Sequence, residues 1–467
     1  MAYGRVDHKV LVALRQLVGG HAVLTSDEDR ANYGHDETED LRYPAEVVVR
    51  PNTALEVAAV VKICAQHHIP ITPVGGRTGL SGGALSIHGG VALALDRMDR
   101  IVEIDERNLQ VTVQPGVITQ VLQETVAAKG LYYPPDPSSR GSCTIGGNLA
   151  ENAGGPRAVK YGVTRDYVLD LEVVLADGSI IRTGARTLKN STGYDLTRII
   201  VGSEGTLGII TEAVLRLVPL PHETRLMLVP FNSAQKACEA VSAVFRAGVT
   251  PSALEFMERN AIDWTLRYIE GIHIHVDEHT QAHLLIEVDG FHADAIMSDC
   301  ETISRVMEDH GAGEILFAET TLEKDALWKL RRNVAVAVKA NSVYKEEDTV
   351  VPRYALPQLL AGVKEIGARH GFESVCYGHA GDGNLHVNII KGELPDAFWK
   401  DELPGAIEEI FQLTVSLGGT LSGEHGIGLV QRPYMHIAFG ERQLQLMGAI
   451  KNAFDPQGIM NPGKILP

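Results

Sequence analysis

The chain has 467 residues, of which 45% are hydrophobic and 22% charged, and its 42 basic and 59 acidic side chains give a net charge of −17 at pH 7. This length and composition predict a folded protein with about two or three domains. The acidic excess argues against binding to a nucleic-acid backbone, which needs a positive surface. It does not exclude an anionic small molecule, because a local arginine or lysine can outweigh the overall charge.

The N-terminal segment and the cysteines indicate a cytoplasmic protein. Residues 1–20 lack the apolar core of a signal peptide, and no run of about 18 apolar residues predicts a membrane-spanning helix. The five cysteines form no CxxC pair, which argues against a zinc ribbon and a dithiol redox site. A sparse set of this kind fits a reducing compartment, and peripheral association with the inner face of a membrane stays compatible with the sequence.

Strands and helices alternate in the first half of the chain. Residues 46–50 predict a strand, residues 53–68 an amphipathic helix, and residues 69–74 a second strand that runs into glycines. Two hairpins follow, one over 101–114 and one over 171–184. This mixture is typical of an α+β region and not of a regular parallel βαβ array.

Two prolines within residues 216–223 end this region and predict a domain boundary. After them a new alternation of strand, helix, strand and helix begins, at 225–231, 233–248, 283–290 and 294–310. We therefore predict two domains, residues 1–220 and residues 221–467, in a chain of the α+β class.

Three glycine-rich loops lie in the first domain: PVGGRTGLSGG at 73–83, a long segment at 134–162, and GSEGTLGII at 202–210. Glycine allows backbone N–H groups to surround an anion, because no Cβ obstructs the approach and positive φ is accessible. The first loop contains neither GxGxxG nor GxxxxGK[ST], which excludes the Rossmann and P-loop patterns. One such loop is equally well explained as an ordinary turn. Three in one domain favour a long ligand such as a dinucleotide.

These loops resemble the flavin-binding domain of the vanillyl-alcohol oxidase (p-cresol methylhydroxylase-type, PCMH-type) flavoprotein superfamily, which consists of two α/β subdomains. The resemblance implies FAD, with its pyrophosphate held by the first loop, its ring and chain by the second, and its nucleotide end by the third. Because 73–83 contains no histidine, we expect the FAD to be non-covalent. The implied contacts are Pro73, Gly75, Gly76, Arg77, Thr78, Gly79, Ser81, Pro137, Ser138, Gly146, Asn148, Gly154, Gly155, Glu204, Gly205 and Ile210.

Two histidine-containing motifs lie in the second domain, GHAGDGNLHVN at 378–388 and SGEHGIG at 422–428. The glycine turn between His379 and His386 predicts that they lie on the two arms of a strand-turn-strand. Such arms can converge, and Glu424 can add an oxygen, which is the ligand pattern of a catalytic divalent metal with an open position. Next to it, His425 can act as a general base. The alternative is that each imidazole is hydrogen-bonded in a core or loop.

A rival cluster lies within residues 273–283, where four histidines stand close together: His273, His275, His279 and His283. Alternate positions on a strand can chelate a metal. The neighbouring Asp277 and Glu278 instead indicate a solvated loop, so we favour the first metal site.

The two histidine motifs resemble the C-terminal domain of the FAD-linked D-2-hydroxyacid dehydrogenases, which include D-lactate and D-2-hydroxyglutarate dehydrogenases and the FAD subunit of glycolate oxidase. The resemblance implies a ferredoxin-like α+β substrate (cap) domain and a C-terminal helical segment that returns to the flavin through Asn461. It implies a divalent metal, commonly zinc, on His379, His386 and Glu424, with His425 as base and Asn388 nearby.

The segment 326–348 resembles the part of this family that binds the substrate carboxylate. It makes Arg331 and Lys345 the candidate anion clamps, the alternative being charges on a solvated surface. Relatives that act on D-2-hydroxyglutarate carry a threonine one helical turn beyond the arginine. Here that position is Ala335, which cannot donate a hydrogen bond.

The resemblance implies a dehydrogenase that oxidises a small D-2-hydroxy acid to the 2-oxo acid by hydride transfer to flavin N5. D-Lactate is the preferred substrate, and D-2-hydroxyglutarate and glycolate are the alternatives. The electron acceptor would be a cytochrome, a quinone or an electron-transfer flavoprotein, and a homodimer is compatible with the sequence. A hypothesis of another class is a non-catalytic electron-transfer subunit, against which the intact histidine motifs argue.

Overall fold

The computed structural model describes residues 3–38, 41–272, 274 and 276–467, so His273 and His275 of the rival cluster lie outside the described residues. The chain forms two compact units. The first contains the residues up to Gly154 together with Gly162–Leu220 and Glu424–Pro467, and the second contains Gly155–Tyr161 and Pro221–Gly423. The chain thus changes unit at Leu220, and residues 424–467, placed in the second domain by the sequence analysis, belong to the first unit.

The elements are numbered in chain order. The strands are β1 Val23–Leu24, β2 Val47–Val49, β3 Ile71–Val74, β4 Val91–Ala94, β5 Ile101–Asp105, β6 Gln110–Val113, β7 Leu131–Tyr132, β8 Val168–Val174, β9 Ile180–Arg182, β10 Ile209–Arg216, β11 Val218–Pro219, β12 Glu223–Phe231, β13 Ala253–Glu258, β14 Ala282–Gly290, β15 Leu316–Ala318, β16 Tyr344–Val350, β17 Glu373–Gly378 and β18 Asn384–Ile390. The α-helices are α1 His8–Val18, α2 Asp27–Asn32, α3 Ala54–His67, α4 Thr119–Ala127, α5 Ile145–Glu151, α6 Ala158–Tyr161, α7 Leu196–Ile200, α8 Ala234–Arg246, α9 Arg259–Tyr268, α10 Ala293–Asp309, α11 Thr321–Arg332, α12 Val334–Asn341, α13 Leu356–His370, α14 Leu403–Ser416, α15 Met435–Ala438 and α16 Glu441–Phe454.

The first unit contains a four-stranded sheet of order β1-β2-β4-β3, in which β2, β4 and β3 run parallel. All three residues of β2 are buried valines, as expected for a parallel strand covered on both faces. The Thr53 side chain caps α3 by accepting a hydrogen bond from the Glu56 N–H, which starts the crossover helix at the predicted place.

An antiparallel five-stranded sheet of order β5-β6-β10-β8-β9 completes the main body of this unit, with β7 and β11 paired beside it. Strands β5 and β6, like β8 and β9, pair antiparallel, which confirms the two predicted hairpins. At the turn of the second hairpin, Gly178 has φ +75°, a conformation that favours glycine.

The second unit is built on one seven-stranded antiparallel sheet of order β15-β12-β14-β13-β17-β18-β16. Helix α8 packs on this sheet through small apolar side chains spaced three or four residues apart: Ala237, Cys238, Ala240, Val241 and Val244. The predicted α+β class is therefore confirmed. None of the described helices has the length and apolar character needed to cross a bilayer.

Candidate active site

The glycine-rich turn between β17 and β18 brings two histidines together in the second unit. His379 follows directly on β17, and His386 lies in β18, which pairs antiparallel with β17. The turn between them ends at Gly383, whose φ is +79°. Both side chains are buried, and a ring nitrogen of each lies within 4.8 Å of the other. The predicted strand-turn-strand is confirmed, and its two histidines are close enough to share an ion.

The His379 ring is oriented by Glu255, a fully buried carboxylate on β13. His379 Nδ1 lies 2.9 Å from Glu255 Oε1 and 2.8 Å from Oε2. Because a carboxylate can only accept, Nδ1 must carry the proton of this hydrogen bond, which leaves the Nε2 lone pair for another partner. A buried carboxylate behind a histidine is the usual outer shell of a metal site.

Arg331 contacts the same carboxylate. Its Nη2 lies 2.7 Å from Glu255 Oε2, and its guanidinium lies 5.2 Å from the centroid of the Tyr377 ring. The side chain is only 5% exposed, so the alternative of a solvated helix-face charge is wrong for this residue. Arg331 Nε is buried and has no hydrogen-bond partner among the described residues, which leaves a donor for an anion.

Two carboxylates of β16 face the second histidine. His386 Nδ1 lies 3.4 Å from Glu346 Oε1 and 3.6 Å from Asp348 Oδ1. The side chains of a strand alternate between its faces, so Lys345 projects to the face opposite to Glu346 and Asp348. The structure therefore does not bring Lys345 together with His386, and Glu346 occupies the position facing the ring.

Asn388 and Tyr377 lie on the same face of the sheet as His386. The Asn388 Nδ2 donates to the carbonyl of Val375 at 3.3 Å, and its buried Oδ1 has no partner among the described residues. Burial, reinforced by the charge of Glu346, raises the pKa of Tyr377 well above its usual value, although Arg331 opposes the shift. The phenol therefore stays protonated and can donate a hydrogen bond.

The two residues before Glu424 donate hydrogen bonds to Asp348 of β16, the strand that pairs with the strand of His386. The Gly423 N–H donates to Asp348 Oδ2 at 2.9 Å and the Ser422 hydroxyl donates to the same oxygen at 2.8 Å, both within the second unit. Glu424 and His425 follow directly in the chain and belong to the first unit. There, a Cβ added to Gly154 would lie 2.9 Å from Glu424 Oε2, so Glu424 packs against this predicted flavin contact.

The three glycine-rich loops meet in the first unit. A Cβ on Gly205 of the third loop would lie 2.9 Å from the Pro73 ring, and one on Gly76 would lie 2.6 Å from the Ser142 carbonyl oxygen of the second loop. Such approaches are possible only without side chains. Glu204 and Arg77 have φ values of +51° and +58°, a backbone conformation that non-glycine residues adopt rarely and mostly at functional sites.

The C-terminal segment returns to these loops through Asn461. Its Nδ2 donates to the carbonyl oxygens of Gly83 at 2.9 Å and Glu204 at 2.7 Å. The Glu204 carboxylate in turn accepts from the Ile427 and Gly428 N–H groups at 2.8 and 2.7 Å, which fixes the end of the SGEHGIG motif. Burial raises the pKa of Glu204 to about 7, and these hydrogen bonds limit the rise.

Three other predicted FAD contacts, Arg77, Asn148 and Ser81, differ in the partners of their side chains. Arg77 donates to the Asn32 carbonyl and stacks 4.6 Å from the Tyr33 ring centroid. Asn148 is buried and donates to Thr119 Oγ1 at 2.7 Å. Ser81 Oγ is buried without a partner among the described residues. The remaining predicted contacts of the first unit lie in the three glycine-rich segments, in α5 and in β10: Gly75, Thr78, Gly79, Pro137, Ser138, Gly146 and Ile210. The predicted contact Gly155 belongs to the second unit.

The sequence analysis missed four buried or partly buried acidic residues that lie next to the predicted site residues. Three are Glu255, Glu346 and Asp348 of the second unit, and the fourth is Glu151 of the first, whose Oε2 is buried without a partner among the described residues. Burial and the charge of Glu204 raise the pKa of Glu151 well above its usual value. Only the AEN triplet at the end of α5 could have marked Glu151. The other three acids lie in β13 and β16, where a single acidic residue carries no motif.

The two described histidines of the rival cluster, His279 and His283, have different surroundings. Burial lowers the pKa of His283 to about 4, so this ring on β14 is neutral. His279 is exposed, and among the residues that the structure describes neither histidine belongs to a group of three potential ligands.

Comparison with known proteins gives matches over nearly the whole chain. Residues 45–184 match the family model of an FAD binding domain, and residues 220–465 match that of the C-terminal domain of FAD linked oxidases. The glycolate oxidase subunit GlcD of Bacillus subtilis is 41% identical over 97% of this chain and 95% of its own length. A D-lactate dehydrogenase of Anaerostipes hadrus is 38% identical over 99% of this chain and 98% of its own. Among solved structures, p-cresol methylhydroxylase has the same fold, with a TM-score of 0.77 and 19% identity over 98% of this chain and 96% of its own.

Proposed function

The chain belongs to the family of FAD-linked oxidases, and from this membership we propose that it is an FAD- and metal-dependent dehydrogenase that converts a small D-2-hydroxy acid into the 2-oxo acid. The observation that carries the proposal is the pair of buried histidines, each with Nδ1 turned toward a carboxylate, next to a buried arginine with an unpartnered donor. A cation can lower the pKa of the hydroxyl of a 2-hydroxy acid, an anion clamp can orient its carboxylate, and a flavin can accept its hydride.

The first unit would hold the FAD. The fit rests on three loops that meet at glycines, on the buried and unpartnered Ser81 hydroxyl, and on the rare backbone conformations of Arg77 and Glu204. When bound, FAD supplies the acceptor for the hydride. The chain itself supplies placement, since Asn461 ties the C-terminal segment to the first and third loops.

His379, His386 and Glu424 would hold the divalent cation, for which the N,N,O donor set suits zinc. The fit rests on the two histidines, which present ring nitrogens within 4.8 Å of each other, and on Glu255 and the carboxylates of β16 behind them. Hydrogen bonds from Ser422 and Gly423 to Asp348 place the residues just before Glu424 next to the partner strand of His386. When bound, a divalent cation lowers the pKa of a substrate hydroxyl.

The substrate would be positioned by Arg331 and Asn388. Arg331 offers its buried Nε to the substrate carboxylate in a charge-assisted hydrogen bond, which orients the hydroxyl-bearing carbon. Asn388 offers its buried Oδ1 as an acceptor. His425 would receive the hydroxyl proton on a ring nitrogen, because an imidazole has a pKa near the working pH.

Two residues favour a small monocarboxylate such as D-lactate. Ala335 offers no hydrogen bond to a second carboxylate, and Glu346 carries a negative charge 3.4 Å from the His386 ring. A dicarboxylate such as D-2-hydroxyglutarate would bring its second negative charge into the neighbourhood of Glu346, which is unfavourable in a partly buried site. We propose that a cytochrome, a quinone or an electron-transfer flavoprotein takes the electrons from the reduced flavin.

Anaerobic addition of D-lactate is expected to bleach the flavin absorbance of the purified protein, because no acceptor is present to reoxidise it. L-Lactate should leave the spectrum unchanged, and D-2-hydroxyglutarate and glycolate should reduce the flavin more slowly than D-lactate. The measurement is a set of absorbance spectra over a panel of D- and L-2-hydroxy acids. A flavin that none of these acids bleaches would overturn the proposal. Faster bleaching by D-2-hydroxyglutarate would reject the preference for a monocarboxylate substrate.

Replacement of Arg331 by lysine is expected to raise KM by about 10- to 100-fold, because a lysine cannot reproduce the planar guanidinium next to Glu255. Lys345→Met should leave KM close to that of the unchanged protein, since Lys345 projects to the opposite face of β16. Steady-state kinetics with D-lactate compare the two. A larger effect of the Lys345 variant would assign the carboxylate clamp to Lys345.

A further inference from the structure

We propose that Glu255 is a positioning residue that couples the cation site to the substrate-carboxylate site. The inference rests on the proposed function, because it concerns how the two sites communicate. Its basis is that a single buried carboxylate contacts both the histidine and the arginine that serve these sites.

Glu255 lies on β13, an interior strand of the seven-stranded sheet, and its side chain is completely buried. Its Oε1 accepts from His379 Nδ1 at 2.9 Å, and its Oε2 lies 2.8 Å from His379 Nδ1 and 2.7 Å from Arg331 Nη2. A buried carboxylate without a positive partner is strongly destabilising. The guanidinium of Arg331 supplies this positive partner, 2.7 Å from Glu255.

The carboxylate acts on His379 in three ways. It holds the proton on Nδ1, so that Nε2 keeps its lone pair, and it restricts rotation of the ring. It also makes the imidazole a stronger donor toward a cation. A glutamine at this position would keep the size of the side chain and one oxygen acceptor, but it would lose the charge that makes the imidazole a stronger donor.

The same carboxylate fixes the direction of Arg331. With Nη2 held by Glu255 and the guanidinium plane over Tyr377, the group cannot rotate freely, and its Nε points to a place without a protein partner among the described residues. An anion that binds at Nε would interact with the same guanidinium charge as Glu255 and would weaken the interaction of Arg331 with Glu255. Cation and anion binding must then influence each other, and the coupling is reciprocal for equilibrium binding.

The test measures zinc affinity directly and does not depend on turnover. Zinc is titrated into metal-free, FAD-loaded protein in competition with a chromogenic chelator. We expect Glu255→Gln to raise the Kd for zinc by about 10- to 100-fold, the usual effect of removing an outer-shell partner. In the same variant KM for D-lactate should also rise. A residue with a purely structural role would instead lower the amount of folded protein, and with it the stoichiometry of zinc binding, and would leave both constants of the folded protein unchanged.

Glu287 provides a matched control. It is a buried carboxylate on the adjacent strand β14, where it pairs with Arg157 at 2.5 Å and accepts from Trp328 Nε1 at 2.9 Å and from the Ser252 hydroxyl at 3.1 Å. Glu287→Gln therefore removes a buried charge of the same kind without touching either proposed site, and its Kd for zinc should equal that of the unchanged protein. Glu255→Asp, which keeps the charge, should recover part of the zinc affinity lost in Glu255→Gln.

The variant Arg331→Met tests the coupling between the cation site and the substrate-carboxylate site. Removal of the arginine leaves Glu255 with less positive charge around it, and the Kd for zinc is expected to change although Arg331 is not a ligand. An unchanged zinc Kd in both Glu255→Gln and Arg331→Met, with D-lactate still bleaching the flavin of the unchanged protein, would overturn this inference alone. A protein that binds no zinc and whose flavin is not bleached would instead reject the proposed function.

Discussion

Replacement of His425 by alanine is expected to reduce the rate of flavin reduction by D-lactate by about 10²- to 10⁴-fold, the usual contribution of a general base. The variant should retain FAD, because the backbone of the following residues, and not the imidazole, binds the Glu204 carboxylate. The rate is measured by stopped-flow absorbance under anaerobic conditions at saturating substrate. The FAD content is measured from the absorbance ratio of flavin to protein.

The pH dependence of the same variant separates a base from a structural residue. If His425 removes the hydroxyl proton, the rate lost in His425→Ala should be partly recovered as pH rises, since hydroxide or water can then take the proton. His436→Ala is a suitable control, because this histidine is exposed and lies in the same unit. A near-normal rate in His425→Ala, or a loss of the same size in His436→Ala, would remove His425 from the reaction.

Local patterns in the sequence predicted the parts of the fold that depend on neighbours in the chain. The two hairpins and the strand-turn-strand around His379 and His386 were predictable because turn residues and alternating hydrophobicity determine them locally. The three glycine-rich loops were recognisable for a similar reason, since a close approach of backbones leaves glycine as the only residue that fits.

The buried carboxylates were not predictable, because their role arises only from the pairing of distant strands. Glu255 lies 124 positions before His379 and meets it only because β13 pairs with β17. Nothing in the local sequence of β13 distinguishes this acid from one on a solvated face. The same argument applies to residues 424–467, whose membership of the first unit is set by long-range contacts such as that of Asn461 with Gly83.

The strand register decides which charge of β16 faces the histidines, and the sequence alone did not provide that register. Lys345 and Glu346 are adjacent, so a shift of one residue exchanges a positive for a negative charge on the His386 side. In the structure Asp348 pairs with His386 and Glu346 with Asn388, which fixes the acidic residues on that side. In the proposed site, a carboxylate at this place would strengthen His386 as a cation ligand and would disfavour a second negative charge on the substrate.

Removal of the proposed divalent cation is expected to abolish flavin reduction by D-lactate while FAD stays bound, because the substrate hydroxyl would then keep a pKa too high for an imidazole to deprotonate it. Dialysis against a strong chelator should give inactive, yellow protein, and added zinc should restore the rate. Elemental analysis before and after dialysis provides a readout that is independent of activity. It should find about one zinc per chain beforehand, as expected for three protein ligands around a single ion.

His386→Ala should reproduce the effect of chelation, with zinc content lost and no recovery on adding the metal, because only one imidazole and a carboxylate remain to hold the ion. His283→Ala is the matched control, since His283 is also a buried histidine of the second unit but belongs to no group of potential ligands among the described residues. Its zinc content and rate should match those of the unchanged protein. Full activity after exhaustive chelation, with no metal found by elemental analysis, would assign the two histidines to hydrogen bonding in the core.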